Sequence, residues 1–342
     1  MYSNPRGIRS KIHSLQSIAN ELKPGLIILV ETQLVGKNTI KIEGYERIIT
    51  RNRKSKGGGL LIALKDTIDA KMVVLDINEN HEQMWIQLNG PEMKINIGIA
   101  YGLHESRCTK QEIENWHYDL EEKYAKYNEQ PTIIIGDMNA HIGNDKKGVK
   151  GNCEKINQNG EHIRNMMERR ELVLGNSLPT CKGLYTRIDP KGDPSIIDLI
   201  LVNTQMQDLI KNITIDDNRI YTLTRYEKVN GIATETPSDH NTMLVDMQWK
   251  RSYRNPKTTA WNYKDPEAIQ KFKDISEKVI MKENWTMNGN ADEKYSKWFK
   301  QLKSIMYSSF KRVTIKRKYK NSAVHRKVQQ KRKLKKKLNQ LK

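Results

Sequence analysis

Residues 132–141 read TIIIGDMNAH. Four residues, three of them β-branched isoleucines, lead into glycine, aspartate and an asparagine two positions on. A short apolar run without polar alternation suits a strand buried on both faces. The polar block then falls just beyond the strand end. Ligand sites in α/β folds lie at such ends. Four other stretches repeat this arrangement: LIILV (26–30) before Glu31, INIGIA (95–100) before Tyr101, SIIDLILV (195–202) with Asp198 inside it, and TMLVDM (242–247) directly after Ser238-Asp239-His240.

Between these runs the pattern changes period. Residues 10–23 place Ile12, Leu15, Ile18, Ala19 and Leu22 at helical spacing, with Ser10 as a cap and Pro24-Gly25 as a stop. Helices are likewise expected over 110–127, with Ile113, Trp116, Leu120 and Tyr124 on one side, and over 160–174. Strands are expected at 45–50, 60–64, 72–75 and 84–88. Their close spacing, without helices between them, predicts antiparallel pairing. The RNRKSKGGG stretch (51–59) lacks the context of a phosphate loop and reads as a hairpin-like connection with a basic tip. The mixed order predicts a layered, sandwich-like α/β domain and argues against a TIM barrel or a simple Rossmann repeat.

Past Trp249 the character shifts. Apolar runs become sparse, Pro256 and Pro266 punctuate, and helical segments are expected over 266–282 and 291–308. The formal net charge of the 342-residue chain is +20. Residues 311–342 contain 15 Lys or Arg and no acid, leaving 45 basic against 40 acidic residues before them. Such an end attracts polyanions; its bland reading is a solvated tail. We therefore divide the chain into 1–250, a globular domain, 251–310, a partly helical linker, and 311–342, a basic tail expected to contact nucleic-acid backbone. The tail also suits a nuclear import signal, so nuclear localisation after cytoplasmic synthesis is expected. Three cysteines, Cys108, Cys153 and Cys181, form no metal-site spacing and imply a reducing compartment. No run of about 18 apolar residues is present, so no membrane span is expected.

Taken singly, each polar cluster has a plain explanation. A carboxylate beyond a strand is often a turn residue or helix cap, and His240 could be a satisfied interior histidine. Asp198 resists this, because an ionised carboxylate inside an apolar run is costly unless paired or metal-bound. Together, carboxylates, amides and one isolated histidine make an oxygen-rich set suited to Mg²⁺ or Mn²⁺ rather than zinc. They suit phosphoryl hydrolysis.

Six motifs then occur in order: Asn4-Pro-Arg-Gly7, Glu31-Thr32, Tyr101, Gly136-Asp137-Met138-Asn139, Ser195-Ile-Ile-Asp198 and Ser238-Asp239-His240. With them, residues 4–247 resemble the endonuclease/exonuclease/phosphatase superfamily, and most of all the apurinic-type endonuclease domain of non-LTR retrotransposons. The resemblance implies an α+β fold: a four-layered α/β sandwich with two mixed sheets, of the DNase I-like kind, followed here by a basic, partly helical extension. It implies that Glu31, Asp239 and Asn4 form the metal shell, and that Asp137 activates the attacking water. Asn139 and His240 would contact the scissile phosphate, Asp198 would partner His240, and Tyr101 would bind phosphate or leaving oxygen. Thr186, in YTRID, and Ser238 resemble substrate contacts. The family has a full strand before its opening asparagine. Here only Met1, Tyr2 and Ser3 precede Asn4, which implies lost pairing and burial beside it. The segment from about 251 resembles the link to a reverse transcriptase, as in a fragment of a longer element protein.

The implied activity is a Mg²⁺-dependent endonuclease that nicks DNA and leaves a 3′-hydroxyl. An abasic-site repair endonuclease and a catalytically inactive nucleic-acid-binding remnant remain as alternatives with the same residues. A phosphatase of small lipids or nucleotides fits the basic excess less well.

Overall fold

The computed structural model describes residues 1–53, 58–144, 156–229, 232–249, 259–263 and 265–282, together with 298, 302, 304–306, 308–310 and 312–314. It divides into two compact units, one built on Met1–Arg254 and one on Asn255–Lys320.

In the first unit the elements run β1 (Tyr2–Ser3), α1 (Ile12–Leu22), β2 (Leu26–Leu29), β3 (Arg47–Arg51), β4 (Leu60–Leu64), β5 (Lys71–Ile77), β6 (Gln83–Asn89), β7 (Lys94–Tyr101), α2 (Lys110–Tyr127), β8 (Thr132–Asp137), α3 (Gln158–Arg169), β9 (Val173–Leu174), β10 (Cys181–Lys182), β11 (Arg187–Ile188), β12 (Pro194–Ser195), β13 (Asp198–Val202), α4 (Thr204–Gln207), β14 (Ile210–Ile215), β15 (Thr224–Val229), β16 (Ile232–Pro237) and β17 (Met243–Met247). One large sheet has the order β10-β14-β17-β1-β2-β4-β3, the other β5-β6-β7-β8-β13-β9. Both are mixed: β1 runs parallel to β2, and β7 parallel to β8, among antiparallel neighbours.

The strands lack polar alternation because both faces of each sheet are covered. On β8, Ile133 and Ile135 join the core between the sheets, while Ile134 faces the opposite way, into the layer containing Trp116 and Leu120 of α2 and Ile163 and Met166 of α3. On β13, Ile200 and Val202 point inward and Leu199 and Leu201 outward to the same helices. On β2, Ile28 enters the inter-sheet core, whereas Ile27 and Leu29 pack with Leu15 and Ile18 of α1. The result is helix, sheet, sheet, helix, a four-layered DNase I-like sandwich.

Several boundaries differ from expectation for local reasons. Ser10 does not cap α1; it lies in a 3-10 turn, Arg9–Lys11. The expected helix over 160–174 is shorter. It begins where the Asn157 side chain accepts the Gly160 N–H, and it ends before Glu171, which adopts φ +51°. Leu174, the last apolar residue of the apparent helical pattern, instead pairs with Leu201 of β13. The short N-terminus is not exposed either: Tyr2 pairs with Ile28 on one side and Met243 on the other, and Asn4 is fully buried.

The second unit holds α5 (Pro266–Lys282) and the pair β18 (Thr259–Trp261) and β19 (Arg312–Thr314). Phe310 packs against Tyr263 and Phe272. The basic tail is therefore not free from its first residues, since β19 belongs to a sheet. Its remainder, most of the expected 291–308 helix, the basic tip at 54–57 and Cys153 lie outside the described residues. Among those described, no helix is long and apolar enough to cross a membrane.

Gly136 marks where the site-bearing strand can tolerate no side chain. A Cβ there would lie 1.9 Å from the Ala100 carbonyl oxygen of β7. That atom is backbone, so β7 and β8 would have to part. Gly136→Ala is expected to lower unfolding stability by at least about 2 kcal/mol, as read from the midpoint of urea unfolding at unchanged m-value.

Candidate active site

The polar residues flagged at strand ends meet at one edge of the sandwich, and β1 joins them. Tyr2 and Asn4 share a face because strand side chains alternate. The Tyr2 hydroxyl donates to Asp198 Oδ1 at 2.6 Å, and Asn4 Nδ2 donates to Asp137 Oδ2 at 3.0 Å. Asp137 and Asp198 sit directly opposite each other in the β8–β13 ladder. His240 closes the group: its Nδ1 lies 2.8 Å from Asp198 Oδ2, and its Nε2 lies 3.6 Å from Asp137 Oδ2 and 3.5 Å from Asn4 Nδ2. All of these side chains are buried.

These contacts decide the chemistry of the ring. Burial alone would push the His240 pKa down, but Asp198 and Asp137 outweigh it and raise the value to about 9. Nδ1–H is engaged by Asp198, so the second proton of the charged ring sits on Nε2, facing Asp137 Oδ2 at 3.6 Å. Asp137 is pushed above the usual carboxylate range by burial and by the charge of Asp198, against the opposing pull of His240. Its Oδ1 accepts the Asn139 N–H at 3.1 Å. Asn139 holds a left-handed conformation, φ +47°. Its Nδ2 donates to the Gly102 carbonyl at 2.8 Å, and its own carbonyl accepts from Asn157 and Asn159 at 2.9 and 3.3 Å. The two asparagines at the start of α3 thus brace the loop after β8.

Glu31 is also left-handed, φ +51°, and only partly buried. Its single side-chain contact among the described residues is a long one, from Gln33 Nε2 at 3.4 Å. Its charge reaches Tyr101, whose hydroxyl pKa is raised by burial first and then by Glu31 and Asp137. Tyr101 Oη lies 3.4 Å from His104 Nε2. Asp239 has one oxygen, Oδ2, in contact with Arg6 at 2.9 Å and Arg187 at 3.0 Å; the other, Oδ1, is buried without a hydrogen-bond partner among the described residues. Burial opposes its charge, yet His240, Arg6 and Arg187 hold its pKa below the ordinary value.

Among the described residues, one close cluster of ligand atoms and two further carboxylates bear on cation binding. Ligand atoms of Asp137, Asp198 and His240 lie within 4.8 Å of one another. Both Asp198 oxygens are, however, already in short hydrogen bonds, and an ion there would have to break them. Glu31 and the orphaned Asp239 Oδ1 carry no such cost. Hard, negatively charged oxygens of this kind suit Mg²⁺ or Mn²⁺.

Two of the expected substrate contacts are engaged within the protein. Thr186 is fully buried, and its hydroxyl oxygen accepts the N–H groups of Ile197 and Asp198, each at 3.0 Å. Ser238 is buried, donates to the Asn4 carbonyl at 2.6 Å and accepts weakly from His240 N–H at 3.4 Å. These hydrogen bonds tie Thr186 to the Asp198 backbone and Ser238 to those of Asn4 and His240. The sequence reading missed Tyr2, Arg6, Arg187 and the Asn157/Asn159 brace. The period of two from Asn4 back to Tyr2 was the available signal for the first; the others lie far from their partners in sequence.

Comparison with known proteins agrees with this geometry. Residues 103–244 match the family model described as endonuclease-reverse transcriptase. No curated protein matches the chain at a significant level. Among solved structures, a Neisseria 3′ phosphatase bound to a product DNA hairpin superimposes with a TM-score of 0.54 at 16% identity, covering 72% of this chain and 98% of that one. The endonuclease domain of TRAS1, a telomere-specific non-LTR retrotransposon, gives 0.52 at 16%, covering 73% and 98%. An AP endonuclease from Archaeoglobus fulgidus gives 0.53 at 16%, covering 72% and 98%. The fold is that of endonuclease/exonuclease/phosphatase nucleases, and the chain is similar in sequence over residues 103–244 to the endonuclease-reverse transcriptase family.

The ring's environment yields a pH prediction. The folded pKa of His240, about 9, lies above its ordinary 6.5. The stability it contributes is therefore complete below pH 6.5 and lost as pH rises through about 9. In Asp198→Asn the strongest counter-charge is gone and burial weighs more heavily, so the ring should titrate at lower pH. Imidazole NMR titration of the metal-free chain checks this. Thermal unfolding from pH 6 to 10 should show a smaller alkaline loss in the variant, by on the order of 1–3 kcal/mol.

Proposed function

We propose that the domain hydrolyses phosphodiester bonds in DNA, as a metal-assisted nicking endonuclease of the non-LTR retrotransposon kind that leaves a 3′-hydroxyl. The observation that carries this reading is the buried Tyr2–Asp198–His240 chain, whose imidazole Nε2 lies 3.6 Å from Asp137 Oδ2. Asp137, with its raised pKa, accepts a proton from the attacking water near neutral pH. The water oxygen bonds to phosphorus as the bond to O3′ breaks, and O3′ takes a proton from solvent to leave as the hydroxyl. His240 Nε2–H and Asn139 hold the phosphate oxygens, and the Tyr101 hydroxyl lies toward the leaving side. Glu31, Asp239 and Asn4 would hold a divalent cation, Mg²⁺ with Mn²⁺ as substitute, which when bound supplies Lewis-acid offset of the charge developing on phosphate. The fold match to a DNA-bound neighbour and the family match support DNA as substrate.

The test is nicking of supercoiled and abasic duplex by the full chain in Mg²⁺ or EDTA. Glu31→Gln should lower cleavage by about a hundredfold or more. Strong cleavage in EDTA would refute the metal-assisted scheme, and cleavage confined to abasic DNA would favour the repair reading. Residues 321–342 carry nine Lys or Arg and no acid. We infer that they add backbone contacts, so a chain ending at 320 should bind DNA more weakly and with a shallower salt dependence. Its nicking at saturating DNA should survive, because every residue given a catalytic role precedes the truncation.

A further inference from the structure

Two arginines meet at the site without belonging to the catalytic set. Arg6 lies two residues after Asn4. Arg187 comes from β11, which is stitched beside the His240 segment: Arg187 and His240 form a backbone bridge, Ile188 N–H donates to the Asp239 carbonyl at 2.8 Å, and Asn241 N–H donates to the Thr186 carbonyl at 2.7 Å. Both guanidinium groups then reach the same oxygen, Asp239 Oδ2, with one N–H each.

We propose that Arg6 and Arg187, anchored on Asp239, form a two-guanidinium clamp that grips a backbone phosphate of duplex DNA at the mouth of the site; the proposal rests on the phosphodiesterase reading above.

Three observations carry it. First, a guanidinium has five N–H donors, and an optimal carboxylate pair uses two of them on two oxygens. Here each arginine spends one donor on a shared oxygen. Among the described residues, the guanidinium groups make no other hydrogen bond, so most of each fork remains for an incoming anion. Second, the side chains are accessible, 51% exposed for Arg6 and 30% for Arg187, whereas Asp239 beneath them is only 9% exposed. The anchor is inside and the forks face out. Third, the pocket needs the charge. Glu31, Asp137, Asp198 and Asp239 would repel a phosphodiester, and His240 offsets only one of them. Arg6 and Arg187 supply two permanent positive charges within a partly desolvated site, where they act more strongly than on open surface.

The clamp is also held from behind. Lys11, almost wholly buried, donates its ammonium to the Pro5 carbonyl, and the Arg6 N–H donates to Asn4 Oδ1 at 2.9 Å. His104, beside Tyr101, adds no charge to this rim: its pKa is lowered by burial and then by Arg107, Arg187 and Arg6. Rigid positioning of this kind reduces the entropy lost when a phosphate is gripped.

The experiment measures binding of the full chain to a labelled duplex over a salt series in EDTA, with nicking measured separately in Mg²⁺. Arg6→Gln and Arg187→Gln should each weaken binding by about tenfold and lower the log–log salt slope by roughly 0.9. Arg6→Lys and Arg187→Lys keep the charge and lose the fork. They should keep the slope while losing several-fold in affinity, a split that a folding defect would not produce; thermal melts identify such a defect. Salt plots of Arg6→Gln and Arg187→Gln that superimpose on the parent overturn the clamp, and leave the nuclease reading intact if the parent nicks. A parent that binds through both arginines but never nicks supports the clamp and defeats the nuclease reading. A parent with no duplex affinity removes both.

Discussion

The hydrogen bond between His240 and Asp198 joins the two sheets at the point where chemistry is expected. Asp198 opens β13 in one sheet, and His240 stands three residues before β17 in the other. Both are buried, so each charge depends on the other to offset its desolvation. Tyr2 satisfies the second Asp198 oxygen from the central β1 strand. A sliding of one sheet against the other would leave a charged group buried and unpaired. The relative placement of the sheets and the geometry of the site are thus one constraint, and the apolar layer between them supplies the rigidity.

Around that pair the chain accepts local strain. Glu31 and Asn139 both adopt positive φ without being glycine, a conformation that costs of order 1 kcal/mol or more. Each lies two residues beyond a strand end, where the backbone turns sharply. Asn139 is held there through both its amide and its carbonyl. The Glu31 carbonyl accepts the Gly7 N–H at 2.9 Å, which ties it to the loop carrying Asn4 and Arg6. Well-paired backbone around strained residues is what keeps such a site in one arrangement.

Much of the fold was legible in local pattern. Helix α2 matches its expected range because Thr109 and Glu112 form a reciprocal capping box ahead of a clear apolar stripe. The buried strands stood out as unbroken aliphatic runs because both faces of each sheet are covered. The pattern misled where it continued past a real stop. Leu172 and Leu174 extend the spacing of α3, yet the chain turns at Glu171 and Leu174 is recruited by β13. The Ile210–Ile215 strand and the Thr224–Pro237 hairpin escaped notice because their polar composition carries little signal. Their pairing depends on partners distant in sequence.

The sequence by itself determined the motif set, the strand-end placement of its carboxylates and the family resemblance, because residue type and spacing are local properties. It also determined the concentration of positive charge after residue 310. Only the tertiary structure decided which of those residues share hydrogen bonds. It placed Thr186 against the Asp198 backbone and Ser238 against that of Asn4, brought Tyr2 to Asp198, and set Arg6 and Arg187 on one oxygen of Asp239. The physical reason is that these contacts join segments up to 234 positions apart, and the path between them is set by sheet order and register, which no local pattern encodes.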